Sequence, residues 1–134
     1  MKAVTLIRPW GYAIAHLGKD IENRTWNCYL QPGEELAIHS GKKWDDAALP
    51  FIQTIHPGLE LPPEALFQGV IIAIARFDGN CTRSNSPWFM GPIGWKLSNV
   101  QAIEPVECRG AQGLWTVPTD VAEVVQSQRL VTHG

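Results

Sequence analysis

One short segment of the chain combines an acidic, two basic and an aromatic residue: Lys19, Glu22, Arg24 and Trp26. Side chains alternate between the two faces of a strand, so an extended conformation places Glu22, Arg24 and Trp26 on the same face. Such a face suits a polar cavity, and Lys19 can reach that cavity from the turn before it. When a lysine lies next to a glutamate in a partly buried pocket, the pKa of either group can be shifted. The segment predicts a ligand-binding pocket, and a salt-bridged surface strand is the alternative.

Tryptophan is unusually frequent, with six tryptophans against two tyrosines. The ring is large and its indole nitrogen needs a hydrogen-bond partner, so a small core holds few of them. We therefore expect one or two tryptophans in the core and several in a pocket or on its rim.

The elements that must position these residues follow from hydrophobic periodicity and from glycine and proline signals. Strands are predicted over residues 2–8, 21–26, 35–39, 69–76, 100–108 and 113–117. Short helices are predicted after Pro9, over 45–55, from Pro62, and over 121–130, while residues 78–95 form an irregular loop. Pro105 indicates an edge or a bulge in its strand. The pattern of about six strands and three or four short helices favours one α+β domain over residues 1–134, built as a small β-barrel.

Composition limits the classes of function. The net charge of −2 argues against coating nucleic acid by bulk positive charge, so any such contact is expected to be local. The three cysteines form no C-x-x-C pair and the histidines show no metal-binding spacing, so neither a metal nor a cofactor is expected. No run is apolar enough to span a membrane and no signal-peptide pattern opens the chain, which predicts a cytoplasmic protein.

Three stretches carry a resemblance to a known family. Residues 6–10 read Leu-Ile-Arg-Pro-Trp, residues 17–26 contain Lys19, Glu22 and Arg24 in a K-x-x-E-x-R spacing, and residues 36–43 end in a basic turn. They resemble the signature of the ASCH family, whose fold is similar to the PUA-like β-barrels of RNA-modifying proteins. Leu17 stands where the family's signature has glycine, with Gly18 beside it. The segments that begin at Gly69 and Gly113 also fit.

The resemblance implies a cleft in which an RNA base or a modified nucleoside is recognised, with single-stranded DNA as a further ligand. Lysine and arginine can bind phosphate, glutamate can accept from an exocyclic amine, and tryptophan can stack a base. The ligand-binding residues implied are Trp10, Lys19, Glu22, Arg24, Trp26, His39, Lys42, Lys43 and Trp95.

Two other functions stay open. One ASCH branch is similar to amidohydrolases that deacylate N4-acylated cytidine with a lysine, a threonine and a glutamate. Lys19 matches that lysine, but Glu22 stands at the threonine position and Thr25 faces the other side of the strand. A hydrolase acting on modified nucleosides or on RNA would therefore use Lys19 and Glu22 as catalytic residues. The third hypothesis is a protein-binding module that uses the aromatic loop around Trp88.

Overall fold

The computed structural model describes the backbone of residues 1–133 and the side chains of residues 1–129. Within that part of the chain, the elements in order are β1 (Lys2–Arg8), α1 (Trp10–His16), β2 (Ile21–Arg24), β3 (Glu35–Trp44), α2 (Ala48–Ile55), a 3-10 turn (Pro63–Leu66), β4 (Val70–Cys81), β5 (Ile93–Glu107), β6 (Leu114–Thr116) and α3 (Thr119–His133). The architecture is α+β, as the sequence predicts. No helix in the described residues is long and apolar enough to cross a membrane.

The six strands form one sheet in the order β2-β5-β4-β3-β1-β6. The pair β1–β3 is parallel and the other pairs are antiparallel. The edge strands β2 and β6 do not pair, so the sheet is not closed and the predicted barrel is not confirmed. The sheet nevertheless curls, as a contact between β2 and β1 indicates: Arg24 of β2 donates from Nη2 to the Thr5 carbonyl of β1 at 3.2 Å. Three strands lie between these two in the sheet order.

Several strands are longer than the sequence pattern predicts. β3 continues through the predicted turn to Trp44, and β4 and β5 extend into the predicted loop over residues 78–95, which shrinks to residues 82–92. Pro105 lies where the pairing of β4 with β5 shifts register, between the pairs Ile71–Val106 and Ala73–Ala102. The predicted bulge at this proline is therefore present.

The larger part of the core lies on the side of the sheet that α1 covers. Leu36, Ile38, Phe77 and Trp95 belong to one buried cluster, which α1 covers through Ile14. A second cluster lies on the other side of the sheet, where α3 packs. A third cluster, which includes Ile21 of β2 and Ala13 of α1, supports the two elements on either side of Lys19.

Candidate functional site

Lys19, Glu22 and Arg24 meet in one charge cluster. The Lys19 side chain is 3% exposed, donates from Nζ to the Ile21 carbonyl, and lies 3.4 Å from Glu22 Oε1. The other carboxylate oxygen, Oε2, accepts from Arg24 Nε at 2.9 Å. Glu22 is thus a buried carboxylate held between the Lys19 amine and the Arg24 guanidinium, one oxygen for each. The structure brings together the three residues that the sequence pattern singles out.

Local backbone geometry aims Lys19 inward. Helix α1 ends at Leu17, and Gly18 adopts a left-handed conformation with φ 79° that L side chains rarely adopt. The amides of Leu17 and Lys19 both donate to the Ala13 carbonyl, which folds the chain back against the helix end. Gly18 thereby supplies the backbone freedom that the residue at position 17 lacks.

Burial governs the electrostatics of the cluster. Removal from water disfavours the charged amine and lowers the pKa of Lys19, while the Glu22 carboxylate opposes that shift. Lys19 Nζ also lies 5.6 Å from the centre of the Trp10 ring, and the Arg24 guanidinium lies 5.6 Å from that of Trp95. Each basic side chain therefore lies between the Glu22 carboxylate and an aromatic ring.

Lys19 and Glu22 line a cavity of about 460 Å³, here called the aromatic cavity. Its rings meet edge to face, with centroids 5.9 Å apart for Trp10 and Phe51 and 6.1 Å apart for Phe51 and Trp88. Trp10 Nε1 donates to Asp45 at 2.9 Å. The remaining lining residues are Asn23, Ala47 and Met90. The cavity therefore presents flat apolar walls next to two carboxylates and one amine.

Asn23 fixes one wall of the aromatic cavity. Its Nδ2 donates to the Trp88 carbonyl at 3.0 Å, and its Oδ1 accepts from the amides of Met90 and Gly91 at 2.8 and 3.1 Å. These bonds attach the irregular segment 82–92 to β2. The sequence pattern places Asn23 on the face away from Glu22, yet both residues line this cavity.

Arg24 lines a second cavity of about 670 Å³, here called the basic cleft, together with Trp26, Lys42, Lys43 and Arg109. No carboxylate lines it among the described residues. The lysines of β3 and Arg109 are exposed, and a glycine-rich stretch over residues 108–113 forms the opposite wall. Four cations thus line one cleft in a protein whose net charge is −2. Because Glu22 faces one cavity and Arg24 the other, their ion pair lies between the two.

His39 lies at the floor of the basic cleft with 2% exposure. Its Nε2 is 2.6 Å from the Cys108 carbonyl, so this nitrogen must carry the proton and donate. Nδ1 then accepts from the Thr5 hydroxyl at 3.2 Å, and that hydroxyl oxygen accepts from Trp115 Nε1 at 3.1 Å. Burial lowers the pKa of His39. The imidazole is neutral and both nitrogens are used, so His39 holds the wall of the cleft rather than offering a free group to a ligand.

Gly110 covers this histidine. A Cβ at position 110 would lie 2.6 Å from His39 Cε1 and 2.7 Å from Thr5 Oγ1, closer than real contacts allow. The backbone of the glycine-rich stretch therefore approaches the sheet where only glycine fits.

The predicted tryptophans separate into two groups. Trp10 lines the aromatic cavity and Trp26 lines the basic cleft. Trp95 is fully buried, packs edge to face against Trp26 with centroids 4.9 Å apart, and donates to the Trp26 carbonyl at 3.1 Å. A base cannot stack on a ring with no exposed surface, so the expectation that Trp95 contacts a ligand is at odds with its position in the core.

The sequence pattern does not predict three of the lining residues, because they lie far along the chain from the Lys19–Arg24 segment. These residues are Asp45, Phe51 and Arg109. Only Arg109 carries a local signal, since a basic residue precedes the glycine-rich run at residues 110–113. No group of histidine, cysteine or carboxylate side chains in the described residues could hold a metal ion.

No family model matches the sequence. No curated protein matches it either. The fold, however, is similar to solved structures of an ASCH protein from Zymomonas mobilis. Two point mutants of that protein give TM-scores of 0.63 and 0.57 at 12% and 13% identity, and each alignment covers 94% of this chain and 96% or 94% of theirs. The unsubstituted protein gives a TM-score of 0.58 at 13% identity, covering 94% of this chain and 93% of that one. The chain therefore has the fold of ASCH-domain proteins.

Proposed function

We propose that the chain binds single-stranded RNA, with the phosphates in the basic cleft and one base in the aromatic cavity. The observation that carries this proposal is the charge of the cleft. Arg24, Lys42, Lys43 and Arg109 line it without any carboxylate from the described residues, although the whole chain has a net charge of −2. A local cation cluster on an acidic protein favours a polyanion bound at one site.

The cleft is suited to an unpaired strand. Lys42, Lys43 and Arg109 are exposed and free to meet phosphates, while Trp26 offers a partly exposed ring beside them. Proteins that bind single strands combine such a cationic groove with aromatic platforms, and each stacked base contributes roughly 1–3 kcal/mol. Duplex RNA presents no such free base faces.

The aromatic cavity is suited to one base. Trp10 and Phe51 are partly exposed and provide apolar surface, and the carboxylates of Glu22 and Asp45 can accept from exocyclic amines. A base with an added substituent fits a cavity of about 460 Å³, which supports a modified nucleoside as the ligand.

The test measures binding of a labelled 12-nucleotide RNA by fluorescence anisotropy at several salt concentrations. Each phosphate contact with single-stranded nucleic acid contributes about 0.7 to the slope of log K against log salt. The double variant Lys42→Ala/Lys43→Ala should therefore lower that slope by about 1.4. The control Arg83→Ala/Lys96→Ala removes the same charge at exposed positions outside the cleft and should leave the slope unchanged. An equal decrease of the salt slope in the two variants would mean that positive charge attracts RNA diffusely, and it would contradict the proposal. The same measurement with a DNA strand of the same sequence tests whether the ligand is RNA.

The contact between Lys19 and Glu22 supports a second candidate, hydrolysis of an acyl group on the exocyclic amine of a base. Water would attack the acyl carbon while Glu22 takes its proton, the C–N bond would break, and the amine would leave with a proton. Lys19 would stabilise the oxyanion. Incubation with N4-acetylcytidine should then yield cytidine and acetate, detected by chromatography. Absence of cytidine at high protein concentration would exclude this activity.

A further inference from the structure

The contacts of Lys19 are those of an amine that can act as a nucleophile. Its Nζ meets two acceptors, the Ile21 carbonyl and Glu22 Oε1. A neutral amine has two N–H groups and one lone pair, so these acceptors take both N–H groups and leave the lone pair free. Burial favours this neutral form, because it lowers the pKa of Lys19. Lysines desolvated in this way attack carbonyl groups.

The cluster also supplies a proton acceptor in a fixed position. Glu22 Oε1 is 3.4 Å from Lys19 Nζ, and the salt bridge to Arg24 at 2.9 Å holds the other oxygen. A carboxylate at this distance can take the proton that an attacking amine releases and can return it to a leaving hydroxyl.

The walls of the aromatic cavity select the carbonyl compound. Trp10 and Phe51 are partly exposed and offer ring surface, and the carboxylates of Glu22 and Asp45 disfavour a phosphate close to the amine. A flat, uncharged ring fits these walls better than a sugar phosphate.

We propose that Lys19 Nζ forms an imine with an aldehyde carried on a flat aromatic ring, as in a formyl-substituted pyrimidine base. The lone pair of Nζ attacks the carbonyl carbon, and Glu22 passes a proton from nitrogen to oxygen. Glu22 then takes the second proton from nitrogen and gives it to the new hydroxyl, which leaves as water while the C=N bond forms, so the reaction needs no oxidant or reductant. The choice of a base as carrier rests on the proposed function, whereas the reactivity of Lys19 towards an aryl aldehyde does not.

The experiment traps the imine on the whole protein with sodium cyanoborohydride at about pH 7, using 5-formylcytidine in one arm and benzaldehyde in the other. Peptide mapping by mass spectrometry then locates the label. We expect Lys19 to carry more label than exposed Lys96, since burial lowers the pKa of Lys19 and its two acceptors leave the lone pair of Nζ free to attack. Lys19→Met should remove that label and Lys96→Ala should retain it, with circular dichroism to check folding. Mapping of the unsubstituted protein does not depend on either variant.

The two arms separate the sources of the aldehyde. Label on Lys19 in both arms supports the proposal with a base as carrier. Label with benzaldehyde alone supports the reactive lysine and overturns the base as its carrier. Label spread evenly over the lysines, or none on Lys19 in either arm, overturns the proposal. The RNA-binding assay with Lys42→Ala/Lys43→Ala reports on the basic cleft separately, so the failure of one proposal is distinguishable from the failure of the other.

Discussion

The neutral state of His39 makes the stability of the protein depend on pH in a way that can be calculated. The ring donates from Nε2 to the Cys108 carbonyl and accepts at Nδ1 from Thr5. A proton added at Nδ1 would force the Thr5 hydroxyl to turn from donor to acceptor and would place a charge in a site that is 2% exposed. Protonation of the imidazole therefore opposes the folded state.

The sign and size of this pH dependence follow from the linkage between proton binding and folding. In the unfolded chain His39 has its ordinary pKa of 6.5, and burial lowers the pKa in the folded protein. As the pH falls below 6.5, the unfolded chain takes up a proton that the folded protein does not. The free energy of unfolding therefore falls with decreasing pH until the folded pKa is reached, by up to about 1.4 kcal/mol per pH unit. Above this pH range, the contribution of His39 to the free energy of unfolding is fully present.

The assay is urea unfolding at pH steps between about 5 and 7.5, with His39→Gln as the variant. Gln retains one donor and one acceptor but does not titrate, so its stability should fall less steeply with decreasing pH. The exposed His16, replaced in His16→Gln, is the matched control and should follow the unsubstituted protein. The lowered pKa of Lys19 is common to all three proteins, so any effect that it has on the slope cancels in the comparison. Parallel curves for the unsubstituted protein and His39→Gln would refute the neutral histidine.

Two further predictions concern the walls of the cavities. Gly110→Ala places a methyl group 2.6 Å from His39 Cε1, so we expect thermal unfolding to show a loss of about 1–3 kcal/mol, while the exposed Ala111→Ser should be neutral. Equal stability of the two variants would show that the glycine-rich stretch is not seated as described. Asn23→Ala removes the acceptor of two loop amides, so hydrogen exchange at those amides should speed up. The control Asn85→Ala changes an exposed asparagine of the same loop, and similar exchange in both variants would contradict the anchoring role.

Local pattern predicts the fold well where the signal is local. The β-branched runs of β1, β3 and β4 and the stop signals around α1 place these elements correctly, because periodicity and turn residues act within a few positions. The length of β3 escapes the pattern, since Gly41 and the lysines after it read as a turn. The pairing of Arg8 with Trp44, a tertiary contact, keeps that stretch extended. The sequence pattern also does not predict whether the sheet closes, because the pairing of β2 with β6 depends on the twist and register that accumulate over all the strands.

The same distinction explains what could be predicted of the site. Lys19, Glu22 and Arg24 lie close in sequence, so their spacing alone is enough to bring them together. Phe51 reaches the aromatic cavity through the packing of α2, and Asp45 reaches it from the end of β3, where its amide donates to the Arg8 carbonyl; no local signal specifies either contact. Trp95 shows the opposite error, since its residue type indicates a pocket while its position in the first core cluster buries it.

The way Glu22 is shared decides which substitutions are informative. One oxygen serves Lys19 in the aromatic cavity and the other serves Arg24 in the basic cleft. Removing the carboxylate takes from two neighbouring basic side chains, one of them buried, the group that both contact, so lost function in Glu22→Gln would mix lost binding with lost folding. Lys42 and Lys43 have exposed side chains in the cleft, and their removal reports on the ligand alone. Lys19 is best tested by mapping its chemistry in the unsubstituted protein, where the cluster stays intact.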